Sequence, residues 1–322
     1  MTHILVTGGA GFIPSYLTDK LVENPDYNVV AIDNFLTGNK LKITKSPYSN
    51  YTFLEGDAND RTFLEKLFEK YSFDFVFHYA AVVGVKRTLE NPLMVLHDIE
   101  GIKNILDLSA THKVKRIFYS SSSEVYGEPV EMPQRELTTP LNSRLPYAIV
   151  KNLGEAFCRS YYQEYDLKYT IFRFFNTYGP KQNPDFVISK FIKQALRDEP
   201  ITIYGDGSQT RTFCCYRDNI EACVNTFEQN KFINKVINVG NDHESTVLQL
   251  ARTIVDLTNS KSQIVHLDPL AEGDMTRRKP DITNMKTVLG RELTQLEDGL
   301  KEIIKSEIFY QLNDISRKVV LN

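Results

Sequence analysis

Residues 3–14 read HILVTGGAGFIP, and the fold is decided in this stretch. His3 to Thr7 carry the apolar and β-branched residues of a buried strand. A tight turn of Gly8, Gly9 and Gly11 follows, and Ile13 to Glu23 has a helical pattern. In that order, the turn brings backbone N–H groups to a helix N-terminus, where the dipole favours an anion such as a pyrophosphate. The spacing is Gly8-x-x-Gly11, and the place of a third glycine is taken by Pro14. Proline is acceptable in a first helical turn because its missing N–H would be unpaired there, although its ring adds bulk. A G-x-x-G turn alone also serves ordinary strand–helix connections. The next strand, NVVAID (28–33), gives it meaning by ending in Asp33, placed to accept hydrogen bonds from an adenosine ribose and to repel a 2′-phosphate. Asp33 has no neighbouring arginine, so the expected cofactor is NAD rather than NADP.

The alternation continues outward. Strands are expected at 51–55, 73–79, 115–120 and 169–174, with helices over Thr62 to Lys70, Leu93 to Ala110 and Tyr147 to Glu164. Such alternation needs right-handed crossovers and gives a mostly parallel, doubly wound α/β (Rossmann) sheet. After about residue 175, loop signals separate helices expected near 187–198, 219–229, 246–257 and 296–306, with one more strand at 235–240. The expected division is an NAD-binding domain over 1–175 with a returning segment at about 213–241. A smaller mixed α/β substrate-binding part would use 176–212 and 242–322. Asp57, in EGDAND after the third strand, reads either as an adenine contact or as part of a helix N-cap region.

Composition sets the outer bounds. The chain has 322 residues and a net charge of −3, with no broad basic surface to argue for nucleic acid. No apolar run approaches the roughly 20 residues of a membrane span. The strand pattern starts at once, leaving no room for a signal peptide, so a cytoplasmic enzyme is expected. Cys158, Cys214, Cys215 and Cys223 lack zinc-type spacing, and no metal is expected.

Chemistry is concentrated in SSSSEVYG (120–127) and LPYAIVKN (145–152). Tyr147 and Lys151 lie one helical turn apart on one face. Free tyrosine has a pKa near 10, so a phenolate at neutral pH requires roughly 4 kcal/mol of differential stabilisation. Lys151 supplies part of this, helped by the positive charge of a nicotinamide. Ser122 would lie near the substrate hydroxyl and share its proton. Glu124 reads either as a group moving a second proton or as a helix or turn cap. A Tyr–Lys pair at this spacing also occurs on ordinary surfaces, and serine runs also form loops. Here the run follows a strand at its carboxyl end, where α/β sheets place ligands.

With VTGGAGFI, IDNFLTG, HYAA, SSSSEVYG, YAIVK, RFFNTYGP, YGDGSQTRTF and RRKPDI together, the chain resembles the extended short-chain dehydrogenase/reductase family, in particular its nucleotide-sugar epimerases, dehydratases and decarboxylases. The likeness runs over nearly the whole chain. It implies NAD contacts from Gly8, Gly11, Phe12, Ile13, Asp33, Asn34, Asp57, Ala58, Tyr79, Ala80, Ala81, Tyr147 and Lys151. It further implies Tyr147 as base, Lys151 as its activator, and Ser122, Ser123 and Glu124 as substrate and proton-handling groups. Arg144, Asn176, Arg211 and Arg278 would bind the nucleotide sugar, with bidentate arginine geometry suited to phosphate. A structural salt bridge is the other reading of each diphosphate arginine. A homodimer through a four-helix contact, with the Tyr147 helix contributing, is also implied.

The reaction after C4 oxidation is less sharply marked. SSSSEVYG, IDNFLTG, GDMTRRKPDI and Arg144 resemble UDP-glucuronate decarboxylases, which is the leading expectation. YAIVK, in place of YDEGK, is closer to the epimerases, and Phe186 stands about where the decarboxylases carry an arginine. Asp98 replaces the asparagine of many relatives, and Cys215 stands where an aromatic is common. A 4-epimerase needs only Ser122, Tyr147 and Lys151 and leaves Glu124 unexplained. A 4,6-dehydratase would usually carry Asp at position 123, which is Ser here. A catalytically silent NAD-sensing protein would have no need of the intact Tyr147–Lys151 pair.

Overall fold

The computed structural model describes residues 1–45, 47–84, 91–268 and 277–315. The GDMT portion of the GDMTRRKPDI motif falls outside them, as do residues 316–322. Seven parallel strands form the central sheet: β1 (Thr2–Thr7), β2 (Tyr27–Asp33), β3 (Tyr51–Glu55), β4 (Phe75–His78), β5 (Arg116–Ser122), β6 (Tyr169–Phe174) and a late strand, Lys235–Val239. Their order is Lys235–Val239, β6, β5, β4, β1, β2, β3, the doubly wound arrangement expected from the alternation. The order reverses between β1 and β4, and a crevice opens there at the carboxyl ends of the strands.

Helices cover both faces because both faces of a parallel sheet are apolar. On one face α1 (Phe12–Leu21) and the helix Tyr216–Glu228 pack over Ile4, Val6, Phe77 and Phe118. On the other, α2 (Arg61–Tyr71), the helix Asp98–Thr111 and the helix Pro146–Tyr165 pack over Leu5, Val76, Ile117 and Ile171. A third cluster, built by the helices Val187–Leu196, Val247–Thr258 and Leu296–Lys305, has Phe191, Ile254 and Ile303 at its centre. Ile282, Met285, Val288 and Leu289 pack with the first sheet face, although they lie in the stretch expected to belong to the substrate-binding part.

Three differences from the sequence expectations bear on the site. The strand expected to end at 120 runs on to Ser122, because Ser121 and Ser122 continue the parallel register opposite Arg173 and Phe174. The helix expected over Leu93 to Ala110 is two helices, Pro92–Leu96 and Asp98–Thr111. The break turns the Asp98 carboxylate toward the segment after β4, where it accepts from Val82 N–H at 2.8 Å. Finally, the C-terminal half contains short two-stranded pairings that no alternation pattern announces, among them Thr210–Thr212 with Glu244–Thr246.

Candidate active site

A cavity of about 350 Å³ lies along the carboxyl ends of β1, β2, β4 and β5. Gly8, Gly11, Phe12 and Ile13 line it at the start of α1. Gly8 adopts φ +78°, and an added Cβ there would stand 3.0 Å from the backbone of Ala80, so this turn requires glycine. Gly11 caps α1 without a side-chain hydrogen bond, which leaves the first-turn N–H groups for an anion. Pro14 is buried in that turn, with its ring against Gly11.

Asp33 is buried at the end of β2, accepting from Ala10 N–H at 2.9 Å and Phe35 N–H at 2.7 Å. Burial pushes its carboxyl above the ordinary range, against these two hydrogen bonds. Asn34 donates to Asp57 at 2.9 Å, and Asn34, Asp57 and Ala58 line the same end of the cavity. Asp60 is the residue that caps α2, accepting from Phe63 N–H, while Asp57 accepts from Asn59 N–H at 2.8 Å in the turn before it and also lines the cavity. Tyr79, Ala80 and Ala81 complete this wall, fastened by the Thr7 hydroxyl, which accepts from Tyr79 and Ala80 N–H. The donors and carboxylates present fit an adenine dinucleotide: open N–H groups for a pyrophosphate, and a buried Asp33 for ribose hydroxyls.

At the other end, Ser122, Ser123, Glu124, Tyr147 and Lys151 converge. Lys151 is buried and donates to the Ser120 carbonyl at 2.6 Å and its hydroxyl at 3.3 Å. Its ammonium stands 5.9 Å from the centre of the Tyr147 ring. A surface pair is thereby excluded for these two residues. Burial lowers Lys151 to about 8, with Asp98 opposing the change. Burial raises the Tyr147 hydroxyl well above its ordinary value; the Glu124 carboxylate adds to this and the Ser122 hydroxyl counteracts it. The chain alone therefore holds Tyr147 as the neutral phenol. Ser122 accepts from Glu124 N–H at 3.2 Å and caps the 3₁₀ turn Ser123–Tyr126. The cap is thus Ser122, and the Glu124 carboxylate reaches Arg278 Nη1 at 2.9 Å, with Ser123 Oγ at 3.4 Å from the same nitrogen.

Asn176 lines the cavity, donating to the Thr212 carbonyl at 3.1 Å. Two expected residues are not brought there. Arg144 is exposed and Arg211 donates to the Thr210 carbonyl; neither lines the cavity. Arg144 precedes the helix Pro146–Tyr165 and lies outside its inward face, so closeness to Tyr147 in sequence does not carry its side chain inward.

Sequence reasoning assigned no role to several groups in this cavity. Ser120 is the anchor of Lys151, hidden within a run in which only Ser122 and Ser123 were singled out. His78 is buried beside it, lowered to about 3 by burial and by Lys151. The Thr7 hydroxyl, already accepting two N–H groups, donates to His78 Nδ1 at 2.9 Å, which places the imidazole proton on Nε2. Lys42 lies near the glycine turn in a 3₁₀ turn without a readable period. Phe186, noted only as standing in place of an arginine, and Asp98 also form part of the wall.

Residues 4–240 match the model of the NAD dependent epimerase/dehydratase family. The chain is 35% identical to UDP-glucuronic acid decarboxylase 1 of Danio rerio, over 97% of this chain and 75% of that protein. Among solved structures it is similar to UDP-glucose 4-epimerase of Thermotoga maritima, solved with UDP-glucose (TM-score 0.89, 33% identity, 96% of this chain and 99% of that one). It is also similar to UDP-glucuronic acid 4-epimerase of Bacillus cereus, solved with UDP-glucuronic acid and NAD (TM-score 0.85, 31% identity, 97% and 99%). A dinucleotide turn, an acidic end to β2 and a Tyr–Lys pair in one cavity agree with these likenesses: the chain is an enzyme of the NAD dependent epimerase/dehydratase family.

Proposed function

We propose that the chain is a UDP-glucuronate decarboxylase acting through a 4-keto intermediate. The observation that carries the reading is the Glu124–Arg278 pair beside Ser123 in the wall that also holds Tyr147. An epimerase needs no acid–base group beyond the Tyr–Lys pair, whereas loss of a carboxyl group requires a proton to be delivered to C5. The likeness to a decarboxylase along nearly the whole chain supports the same reading.

NAD, when bound, would supply the acceptor, and in the return step the donor, of the C4 hydride. Tyr147 accepts the C4 hydroxyl proton, and the Lys151 ammonium favours the phenolate that begins this step. Ser122 holds the hydroxyl. In the resulting β-keto acid the C5–C6 bonding pair moves into the C4 carbonyl as carbon dioxide leaves. A proton from solvent, relayed by Glu124 or a water it holds, then reaches C5 as the C4 carbonyl re-forms. Arg278 is the cation within this wall that suits the substrate carboxylate or diphosphate, and Asn176 lies beside the diphosphate. At the cofactor end, Gly8, Gly11, Phe12 and Ile13 would hold the pyrophosphate, and Asp33 and Asn34 the ribose. Asp57 and Ala58 would flank the adenine, with Tyr79, Ala80 and Ala81 completing that wall.

A 4-epimerase is the second reading. It is favoured by Arg144 lying away from the cavity and by apolar Phe186 in its wall, both of which suit an uncharged sugar. Incubation of enzyme and NAD with UDP-glucuronate, UDP-glucose and UDP-galactose separates the two. Carbon dioxide and a UDP-pentose support the first; gluco–galacto interconversion without carbon dioxide replaces it with the second.

The quaternary and cellular parts of the reading are a homodimer and the cytoplasm, without nucleic-acid or membrane partners. Ile149 on the Tyr147 helix is exposed, as are Leu93 and Leu96 on the helix Pro92–Leu96, and exposed apolar side chains on these helices support a helical dimer contact. Among the described residues no helix is long and apolar enough to cross a membrane. We retain the division into an NAD-binding domain (1–175, with 213–241 returning) and a substrate-binding part (176–212 and 242–322) as a proposal.

A further inference from the structure

Three lysine or arginine side chains line the cavity among the described residues: Lys151, Arg278 and Lys42. Lys151 is held by Ser120, and Arg278 lies against Glu124. Lys42 stands apart, near the glycine turn, and only 6% of it is exposed. Its backbone is fastened from two sides. Asn39, which caps the short turn Lys40–Lys42, donates its N–H to the Ala10 carbonyl at 3.0 Å, tying the segment to the glycine turn. Lys181 donates to the Lys42 carbonyl at 3.3 Å while pairing with Asp19 at 2.6 Å.

The Lys42 ammonium itself has no ion pair or hydrogen bond among the described residues. The opposite charge that acts on it is Asp33, whose oxygens already accept from Ala10 and Phe35 N–H. Burial and the Lys181 charge lower Lys42 to about 8, with Asp33 opposing. A buried ammonium without a direct hydrogen-bonded partner is costly, and this one borders a cavity that also receives the uncapped N-terminus of the ten-residue helix Phe12–Leu21. Both features ask for the same thing, an anion at the turn.

We propose that Lys42 is a cofactor-binding residue that contacts the pyrophosphate of the dinucleotide and acts jointly with the first-turn N–H groups of α1. The 2′ position of the adenosine ribose is the less suitable target, because Asp33 would oppose a phosphate there. The inference rests on the family's dinucleotide and not on which sugar reaction follows.

The test is calorimetric titration of wild type, Lys42→Met and Lys42→Arg with NAD and with NADP, without nucleotide sugar. A charge-assisted contact is worth about tenfold or more in Kd. Lys42→Met is expected to weaken both cofactors by the same factor, and Lys42→Arg to recover most of the loss. Thermal unfolding without cofactor checks that the variants fold. Unchanged NAD affinity in a folded Lys42→Met overturns the proposal, as does a loss confined to NADP. A wild type that binds NAD with this dependence yet releases no carbon dioxide from UDP-glucuronate would reject the proposed reaction and leave this inference standing.

Discussion

Arg278 Nη1 lies 2.9 Å from Glu124 Oε1, joining two segments separated by 154 residues inside the substrate end of the cavity. The arginine is nearly buried and the carboxylate only partly so. A pair of this kind adds little net stability, because desolvation offsets much of the attraction. Its value is positional: Arg278 holds the Glu124 carboxylate in place, and Glu124 keeps a cation ready for an anionic substrate.

Glu124→Gln retains a hydrogen-bonding oxygen for Arg278 but loses the proton-carrying carboxylate. Turnover of UDP-glucuronate is expected to fall about 100-fold or more, with NAD affinity unchanged. Single-turnover measurement of carbon dioxide, alongside titration with NAD, checks this. A variant with wild-type carbon dioxide release removes Glu124 from the chemistry.

Tyr147→Phe is expected to keep the fold and NAD while losing turnover by several orders of magnitude. Glu124, the other acid–base group of this wall, is engaged by Arg278, and the His78 ring nitrogen on the Thr7 side is already committed to that hydroxyl. Retention of even a tenth of the wild-type rate would show that another base operates.

Buried lysines make a second measurement informative. In the folded chain Lys151 loses its proton near 8 rather than at the ordinary 10.5. Between those values the unfolded chain binds a proton that the folded chain has released, so stability from this residue rises with pH across the window. The full difference is about 3 kcal/mol. Without cofactor, wild type should therefore gain on Lys151→Met by about that amount from pH 7.5 to 10.5, although the variant is inactive. Urea unfolding at the two pH values tests this, and a constant difference would contradict it. Lys42 behaves alike in both proteins and cancels.

Asp33 should make NAD strongly preferred over NADP, since a like-charge contact in a partly desolvated site costs several kcal/mol. Affinities within about threefold of each other would remove Asp33 from that role, and Asp33→Ser should narrow the gap.

What the sequence reveals, and what it hides, follows from the range of the forces involved. Gly8, Asp33, Ser122, Tyr147 and Lys151 are legible because each sits at a strand end or on one helical turn, where local periodicity fixes the direction of the side chain. Asn176, Arg278 and the first-turn residues are legible through their motifs. Arg144 was misplaced because adjacency in sequence says nothing about which way a residue before a helix points. Lys42 escaped because its burial is produced by two long-range fastenings, to Ala10 and to Lys181. The short pairing of Thr210–Thr212 with Glu244–Thr246 is equally non-local, and three-residue strands carry no period.

The arginines supply the sharpest division between the two reactions. Arg144 is exposed and away from the cavity, so Arg144→Ala should leave KM for UDP-glucuronate within about twofold of wild type, the ordinary range for a surface substitution. Arg278→Lys keeps a positive charge but loses the planar fork that binds Glu124 and an oxyanion together. If the substrate carries a C6 carboxylate held by Arg278, this variant should raise KM for UDP-glucuronate by at least about tenfold, and weaken UDP-glucose, as a competing ligand, much less. Equal losses for the two ligands would place Arg278 on the diphosphate they share. In that case no cation lining the described cavity is left over for a C6 carboxylate: Lys151 is held beneath Tyr147 by Ser120, and Lys42 stands at the cofactor turn. An uncharged sugar would then suit the wall formed by Phe186, and the 4-epimerase reading would take precedence.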